Sequence, residues 1–439
     1  RAALDSNFLI QVEQYPNDYD ATKAGLDGAL METFNTTNMG HIWEIDSVSE
    51  DTAMKFGSRH DFGNQITMRK FARGCDRDRP TWAFSIGYST ADAGIVMAGA
   101  LAVGTNPLEH KAPYISDSVG SSFRTKWFTW LEDVACEIFN VPRRAEVAVL
   151  HSSSSRDLYD LYKECGYGMF WDYKRPNKKI EWWADSKWDA LSKCPHLAGY
   201  RGASYALQLL HVPFKIVPEA SLTSADLEGI SVLWLPTVPA LSEDAASVIN
   251  TWVESGGILL ASGSVTPASI SGYGESVSTA NNPLKATLNN FGSSPASVGD
   301  GYGYYKSSWS PEDVFQSTKK QTKFLETLES FLFSHINQNI IVASGSYILV
   351  EASDVYDNVQ HLYVVNYAGL KQPAKSNVQT VKLQLLSMHS AGKSITRAVI
   401  TSPTSSATSG EVSVSTLSGG YFQINFKMSE FMLVTVQYE

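Results

Sequence analysis

No stretch of this chain reaches the ~18 consecutive apolar residues that a membrane-spanning helix requires. The longest candidate, AGIVMAGALAVG at 93–104, is about a dozen residues and reads as a buried helix running into a strand. Charge is sparse, at 18% Asp, Glu, Lys and Arg, and the net charge is -10. No Lys/Arg cluster is longer than RPNKK at 175–179, so the basic face of a nucleic-acid binder is missing. Cysteine is scarce too. Cys75, Cys136, Cys165 and Cys194 form no CxxC pair, which excludes zinc-ribbon spacing. They read as buried thiols or as one or two disulfides of a secreted protein, with Cys165 and Cys194 the first pair to try. There is no GxGxxG after a strand, no GxxxxGK[ST], no HExxH and no GxSxG. Dinucleotide, P-loop, zincin and serine-hydrolase chemistries therefore have no motif here, and neither a metal nor a cofactor is expected.

What remains is globular. Hydrophobic residues make up 43% of the 439 residues, enough for two to four domains. The chain begins at Arg1 without a signal-peptide pattern, as a mature or excised form would. The sequon at Asn35-Thr36-Thr37 is compatible with secretion, and an extracellular location is expected.

Residues 1–142 alternate strand-like and helix-like segments. The strand candidates are FLIQVEQY (8–15), GALMETF (28–34), TWAFSIGY (81–88) and LAVGTN (101–106). Helical stretches lie at 63–75 and 91–100, and a long amphipathic helix at 121–141 closes the region. Its residues Phe123, Trp127, Trp130, Leu131, Val134 and Ile138 recur at a spacing of three to four. Repeated strand–helix units imply a parallel sheet, and four of them are half of an eight-unit barrel.

A second pattern begins at AEVAVLHSSSS (145–155). Residues 200–218 read as a helix then a strand, and the apolar segment 231–242, a helix at 242–257 and a strand at 257–264 follow, the order of an open doubly wound sheet. Ser242 is a plausible N-cap for the helix that Gly256-Gly257 stops. A further helix is expected at 318–336. From about 340 onward, short alternating runs recur near every ten residues between Gly, Ser, Pro and Asn, the texture of an antiparallel sandwich.

This order resembles the family 42 β-galactosidases and related barrel glycoside hydrolases. The likeness rests on AEVAVLHS, on SVLWLPTVPALSEDAASVINTWVESGGILLASGS and on HLYVVNYAG. It implies an α/β fold in three domains. Residues 1–142 would be the second half of a (β/α)8-type barrel, and 143–338 a flavodoxin-like, amidotransferase-like domain. Residues 339–439 would be a C-terminal β-sandwich. A complete barrel needs roughly 250 residues, so the resemblance also implies a missing first half, cleaved, carried on a partner chain or lost in evolution. The family draws one of its two catalytic carboxylates from that half.

Within strand 8–15 the face Leu9, Gln11, Glu13, Tyr15 grows polar toward the C-terminal end, the catalytic edge of a parallel barrel. Glycosidases need two carboxyls, one to protonate the leaving oxygen and one to attack the sugar or activate water. Glu13 and Glu32, on strands expected to be adjacent, are the candidate pair. Either can equally be a salt-bridged or solvated residue. Tyr15 stands beside them. The following segment, read as a loop, offers His41, Trp43 and Glu44 as a sugar subsite, where an aromatic face stacks and a carboxylate holds hydroxyls. Tyr88, Asn106 and Glu109, at expected strand ends, complete the candidate substrate contacts.

The aromatic stretch 166–188, with Trp182 and Trp183, reads as a self-association surface or as a satellite core. The serines of HSSSS, with His151 beside them, make no convincing triad, so the second domain is expected to be catalytically inert. Three functions remain: a glycoside hydrolase or the C-terminal chain of one, a non-catalytic self-assembling extracellular relative, and a carbohydrate-binding protein.

Overall fold

A computed structural model of the chain describes residues 11–14, 40–44, 58–77, 81–85, 90–109, 118–139, 141–155, 195–263, 268–270, 296–370, 376–388, 392–404, 407 and 409–439. It is a mixed α/β protein with parallel and antiparallel sheets.

The first sheet has the order β1-β2-β3-β4, from β1 (Gln11–Gln14), β2 (Gly40–Glu44), β3 (Thr81–Ser85) and β4 (Asn106–Glu109). Every pairing in it is parallel. Between the strands run α1 (Ser58–Asp76) and α2 (Thr90–Ala102), and α3 (Ser118–Phe139) follows β4. The heptad-like stripe of α3 faces inward as its spacing implies: Trp127, Leu131, Val134 and Ile138 are buried, with Phe123 and Trp130 packed against them.

Two strand expectations are corrected. The neighbour of β1 is Gly40–Glu44, which the sequence suggested was loop, and the segment 28–34 lies outside the described residues. The fourth strand starts at Asn106 rather than ending there, because Leu101 and Ala102 continue the helix and Gly104, at φ +76°, makes the turn. The apolar run carries three glycines, Gly94, Gly99 and Gly104, and only the last of them marks where helix passes to strand.

The second sheet takes β5 (Val147–His151), β6 (Phe214–Pro218), β7 (Val232–Pro236), β9 (Ile258–Ser262), β11 (Ala296–Val298) and β12 (Gly301–Lys306). Its order is β11-β12-β9-β7-β5-β6, all parallel except the edge strand β11. A two-stranded piece, β8 (Ala240–Ser242) with β10 (Ala268–Ile270), stands beside it. The chain leaves β5 for β6 on one side and returns to β7 on the other, which makes a topological switch between β5 and β7. The helices are α4 (Pro195–Leu209), α5 (Glu243–Glu254) and α6 (Thr318–Leu332). Ser242 caps α5 as expected, its side chain accepting the Ala245 N–H.

The remaining strands are antiparallel. One sheet is β13-β16-β20-β19, from β13 (Ile340–Ser344), β16 (Gln379–Leu386), β19 (Val414–Thr416) and β20 (Tyr421–Met428). The other is β14-β15-β21-β17-β18, from β14 (Ile348–Ala352), β15 (Val359–Asn366), β17 (Ile395–Thr401), β18 (Gly410–Val412) and β21 (Phe431–Tyr438). Their facing residues, among them Val364, Leu383, Ile424 and Val434, form one buried cluster. Leu349, Tyr363, Val365, Phe431 and Leu433 point the other way and join the core of α2 and α3. The central strands of this sheet are therefore buried on both faces.

The three regions meet along α1. An added Cβ at Gly74 would lie 2.4 Å from the Ile216 carbonyl oxygen, so only glycine lets α1 approach β6 this closely. Lys70 donates to the Phe214 carbonyl at 2.7 Å and to Glu351 on β14 at 2.8 Å, both fully shielded. Burial pushes the Lys70 ammonium down and the Glu351 carboxyl up, and each charge opposes the shift in the other. Among the described residues, no helix is long and apolar enough to cross a membrane.

Candidate functional site

In a parallel α/β sheet the strands' C-terminal ends are where ligands and catalytic groups gather. At that edge of the first sheet, β1 ends in Glu13-Gln14, β2 in Trp43-Glu44 and β4 in Leu108-Glu109. Register sets Glu13 opposite Ile42, Gln14 opposite Trp43, and Ser85 opposite Glu109. The backbone thus brings Glu13, Trp43, Glu44 and Glu109 to one edge. His41 stands at the second position of β2, opposite Val12 and Thr81 and nearer the other end. Trp43 and Glu44 are strand residues, not loop residues.

Asn106 is not at this edge. It opens β4, opposite Trp82, and its side-chain amide donates to the Thr81 carbonyl at 3.1 Å. That bond ties the starts of two neighbouring strands and gives Asn106 a structural task. Tyr15, Glu32 and Tyr88 lie outside the described residues, as do Cys165, Cys194 and the aromatics of 166–188. Of the other two cysteines, Cys75 is buried in α1, while Cys136 on α3 is an exposed free thiol, unlike the buried thiols expected. Among the described residues no group of three His, Cys, Asp or Glu side chains is placed to hold a metal ion.

The second sheet has a polar centre that the sequence reading passed over. It sits at the topological switch, where Ser152–Ser155 leave β5. The Ser152 N–H donates to His196 Nε2 at 2.9 Å, and His196 Nδ1 lies 3.1 Å from the Pro236 carbonyl. Since Nε2 accepts, the Nδ1 nitrogen carries the proton and donates to that carbonyl. Ser152 Oγ donates to Glu219 Oε2 at 2.7 Å, and Ser154 contributes its N–H at 3.1 Å and its Oγ at 2.6 Å. The Ser242 N–H adds a fourth donor at 2.6 Å. Glu219 is 3% exposed, so its carboxylate is buried and fully engaged by this ring of donors.

This is no nucleophile–base pair. His196 is committed to backbone on both ring nitrogens, and Ser152 Oγ faces a carboxylate and the Ala240 carbonyl, also 2.9 Å away. The arrangement closes the switch point with the chain's own acid. The signal in the sequence was Glu219 directly after an apolar strand, and only the fold reveals that four donors surround it.

No protein-family model matches the sequence, and no curated protein is matched by it. Solved structures do match. An α-L-fucosidase isoenzyme 2 from Paenibacillus thiaminolyticus is 13% identical with a TM-score of 0.52, over 93% of this chain and 79% of that one. Gan42B, a GH42 β-galactosidase from G. stearothermophilus, is 10% identical with a TM-score of 0.54, over 93% of this chain and 61% of that one. The chain resembles the GH42-type fold. A β-galactosidase from Bacillus circulans sp. alkalophilus agrees, at 12% identity and a TM-score of 0.54, covering 90% of this chain and 61% of that one. The chain spans about three fifths of the length of these galactosidases. At such identities the GH42-type likeness is one of fold.

Proposed function

We propose that this chain is a glycoside hydrolase, or the C-terminal portion of one, cleaving a glycosidic bond outside the cell with a pair of carboxylates. In this reading residues 1–142 are a partial (β/α) barrel, 143–338 a flavodoxin-like domain without chemistry of its own, and 339–439 a β-sandwich. The observation that carries it is a fold likeness extending over 90% or more of the chain to enzymes that include two β-galactosidases and a fucosidase. The acidic strand ends of the first sheet support it.

Glu13 is one member of the pair. Glu44, on the strand that pairs with β1, takes the place expected of Glu32 as the other member. With strands ~4.8 Å apart and a ~3.3 Å rise, positions 13 and 44 stand roughly 8 Å apart, within reach of either glycosidase geometry. Trp43, Glu109, Tyr15 and Tyr88 are proposed sugar contacts, with a carbohydrate as substrate, while His41, nearer the other end of β2, is not.

The test is hydrolysis of a panel of nitrophenyl glycosides by the protein and by Glu13→Gln, Glu44→Gln and Glu32→Gln variants. Glu13→Gln and one of the other two should lower turnover by ~10²–10⁴ without altering the circular dichroism. Full activity in all three would overturn the pairing.

A second reading, a self-assembling relative without catalysis, draws support from the closed switch point around Glu219. Sedimentation separates it: a Trp182→Ala, Trp183→Ala variant should then form smaller species than the parent, while the parent hydrolyses no glycoside.

A further inference from the structure

At the opposite end of the first sheet from the acidic edge lies a cavity of about 420 Å³, within the size range of small-molecule sites. It opens where α1 ends, where the turns after α2 and α3 leave their helices, and against the edge strand β6. Among the described residues its charged lining is Lys70, Arg73, Arg77, Arg143, Lys215 and Asp226, five cations to one carboxylate.

Much of that lining is already committed. Arg143 donates to the Leu101, Ala102, Ile138 and Val141 carbonyls, closing the ends of α2 and α3, and its guanidinium lies 3.5 Å over the Tyr363 ring. Lys70 is balanced by Glu351. Asp226 accepts from Arg77 at 2.9 Å and from the Thr223 N–H and hydroxyl at 2.8 and 2.7 Å, so the lining carboxylate is spent on holding Arg77 in place. Arg73 also donates to the Thr81 hydroxyl, at 3.3 Å.

Two cations of the lining keep hydrogen-bonding capacity that no described residue uses. Arg77 stands at φ +55°, a left-handed conformation that a residue with a side chain adopts at a cost of roughly 1–2 kcal/mol. Its Nε–H is buried and donates to nothing among the described residues. Lys215 lies on β6 with neither a hydrogen bond nor an ion pair to a described residue. The carboxylates that act on it from a distance besides Asp226 are Glu228 and Asp354, both exposed and outside the cavity lining.

We propose that this cavity binds a small tetrahedral oxyanion, phosphate or sulfate, free or as the ester group of a small sugar, held by Arg77, Arg73 and Lys215. Guanidinium forks suit such oxygens because they match them two at a time. The site is independent of the hydrolase reading, since it lies at the other end of the strands.

The test is isothermal titration of the whole chain with inorganic phosphate, inorganic sulfate and glucose 6-phosphate, against chloride at equal ionic strength. Saturable binding of one or more of the oxyanions, but not of chloride, is expected. Tighter binding of glucose 6-phosphate than of inorganic phosphate identifies the ester, and the reverse identifies the free ion. Lys215→Gln and Arg73→Gln, each with unchanged circular dichroism, should weaken binding by about tenfold or more. The mild Lys215→Gln change keeps the test decisive should the Arg73 variant fail to fold. No saturable binding of any of the three, or affinity unchanged in a folded Lys215→Gln variant, would overturn the proposal.

Discussion

In the first parallel sheet glutamates occupy positions at or beside the strand ends, Glu13 next to the end of β1 and Glu44 and Glu109 closing β2 and β4. In the second, the acid after β6 turns back into the protein, where Glu219 collects hydrogen bonds from Ser152, Ser154 and Ser242. Both regions put an acid where a parallel sheet keeps its chemistry, yet only the first has an acid whose proposed role is catalytic. Position along a strand is thus a poor guide to whether a carboxylate reacts. A saturated carboxylate in a ring of fixed donors is a structural anion, replacing the ligand that a switch point would otherwise take.

The sharpest way to break the contrast is to treat the two acids alike. Glu13→Gln should cost ~10²–10⁴ in turnover with little change in the urea midpoint, whereas Glu219→Ala should leave the turnover of the folded protein unchanged. Loss of turnover in a folded Glu219 variant would move the chemistry to the second sheet. Next in size is the seam where α1 meets β6 and β14. Lys70→Met strands a buried Glu351 and should lower the unfolding free energy by about 3–5 kcal/mol, measured by urea denaturation. The double change with Glu351→Leu should recover most of that loss, and failure to recover would show that the Phe214 carbonyl bond carries the energy instead.

Glu219→Ala should itself cost about 2–4 kcal/mol, because it leaves buried serine and backbone donors without an acceptor. The smallest effect is a pH slope belonging to the second region. Burial holds His211, just beyond α4, down to about 4, so the unfolded chain takes up its proton first as pH falls. Its contribution is complete above about pH 6.5 and is lost as pH falls from there toward 4. His335 and His361 are lowered by burial in the same direction, so His211→Gln should flatten that slope in part.

Much of this architecture could be read from the residues. The α3 stripe, the Ser242 cap and the alternating runs after 340 were legible because each is a short-range pattern of period and cap. Periodicity fails where a run is apolar between its glycines. Residues 93–104 carry three of them and only the last marks where helix ends, and so Asn106 was taken for the wrong end of its strand. Trp43 and Glu44 were hidden for the opposite reason, since β2 is only five residues long within a polar stretch. The Glu219 ring and the cationic cavity unite residues dozens to over a hundred positions apart, and no local pattern encodes such meetings.

The sheet containing β15 and β21 has practical weight for anyone dividing this protein. One face is its own partner sheet, and the other carries Tyr363, Val365, Phe431 and Leu433 into the helices of the first region. A cut near residue 339 separates what looks like an autonomous module but leaves an oily wound on both fragments. The severed C-terminal piece should precipitate or pair with itself through that face unless the wound is resurfaced with polar residues. Modularity along the gene is therefore not modularity in solubility, and grafting this β unit elsewhere means supplying a helix pair to cover it.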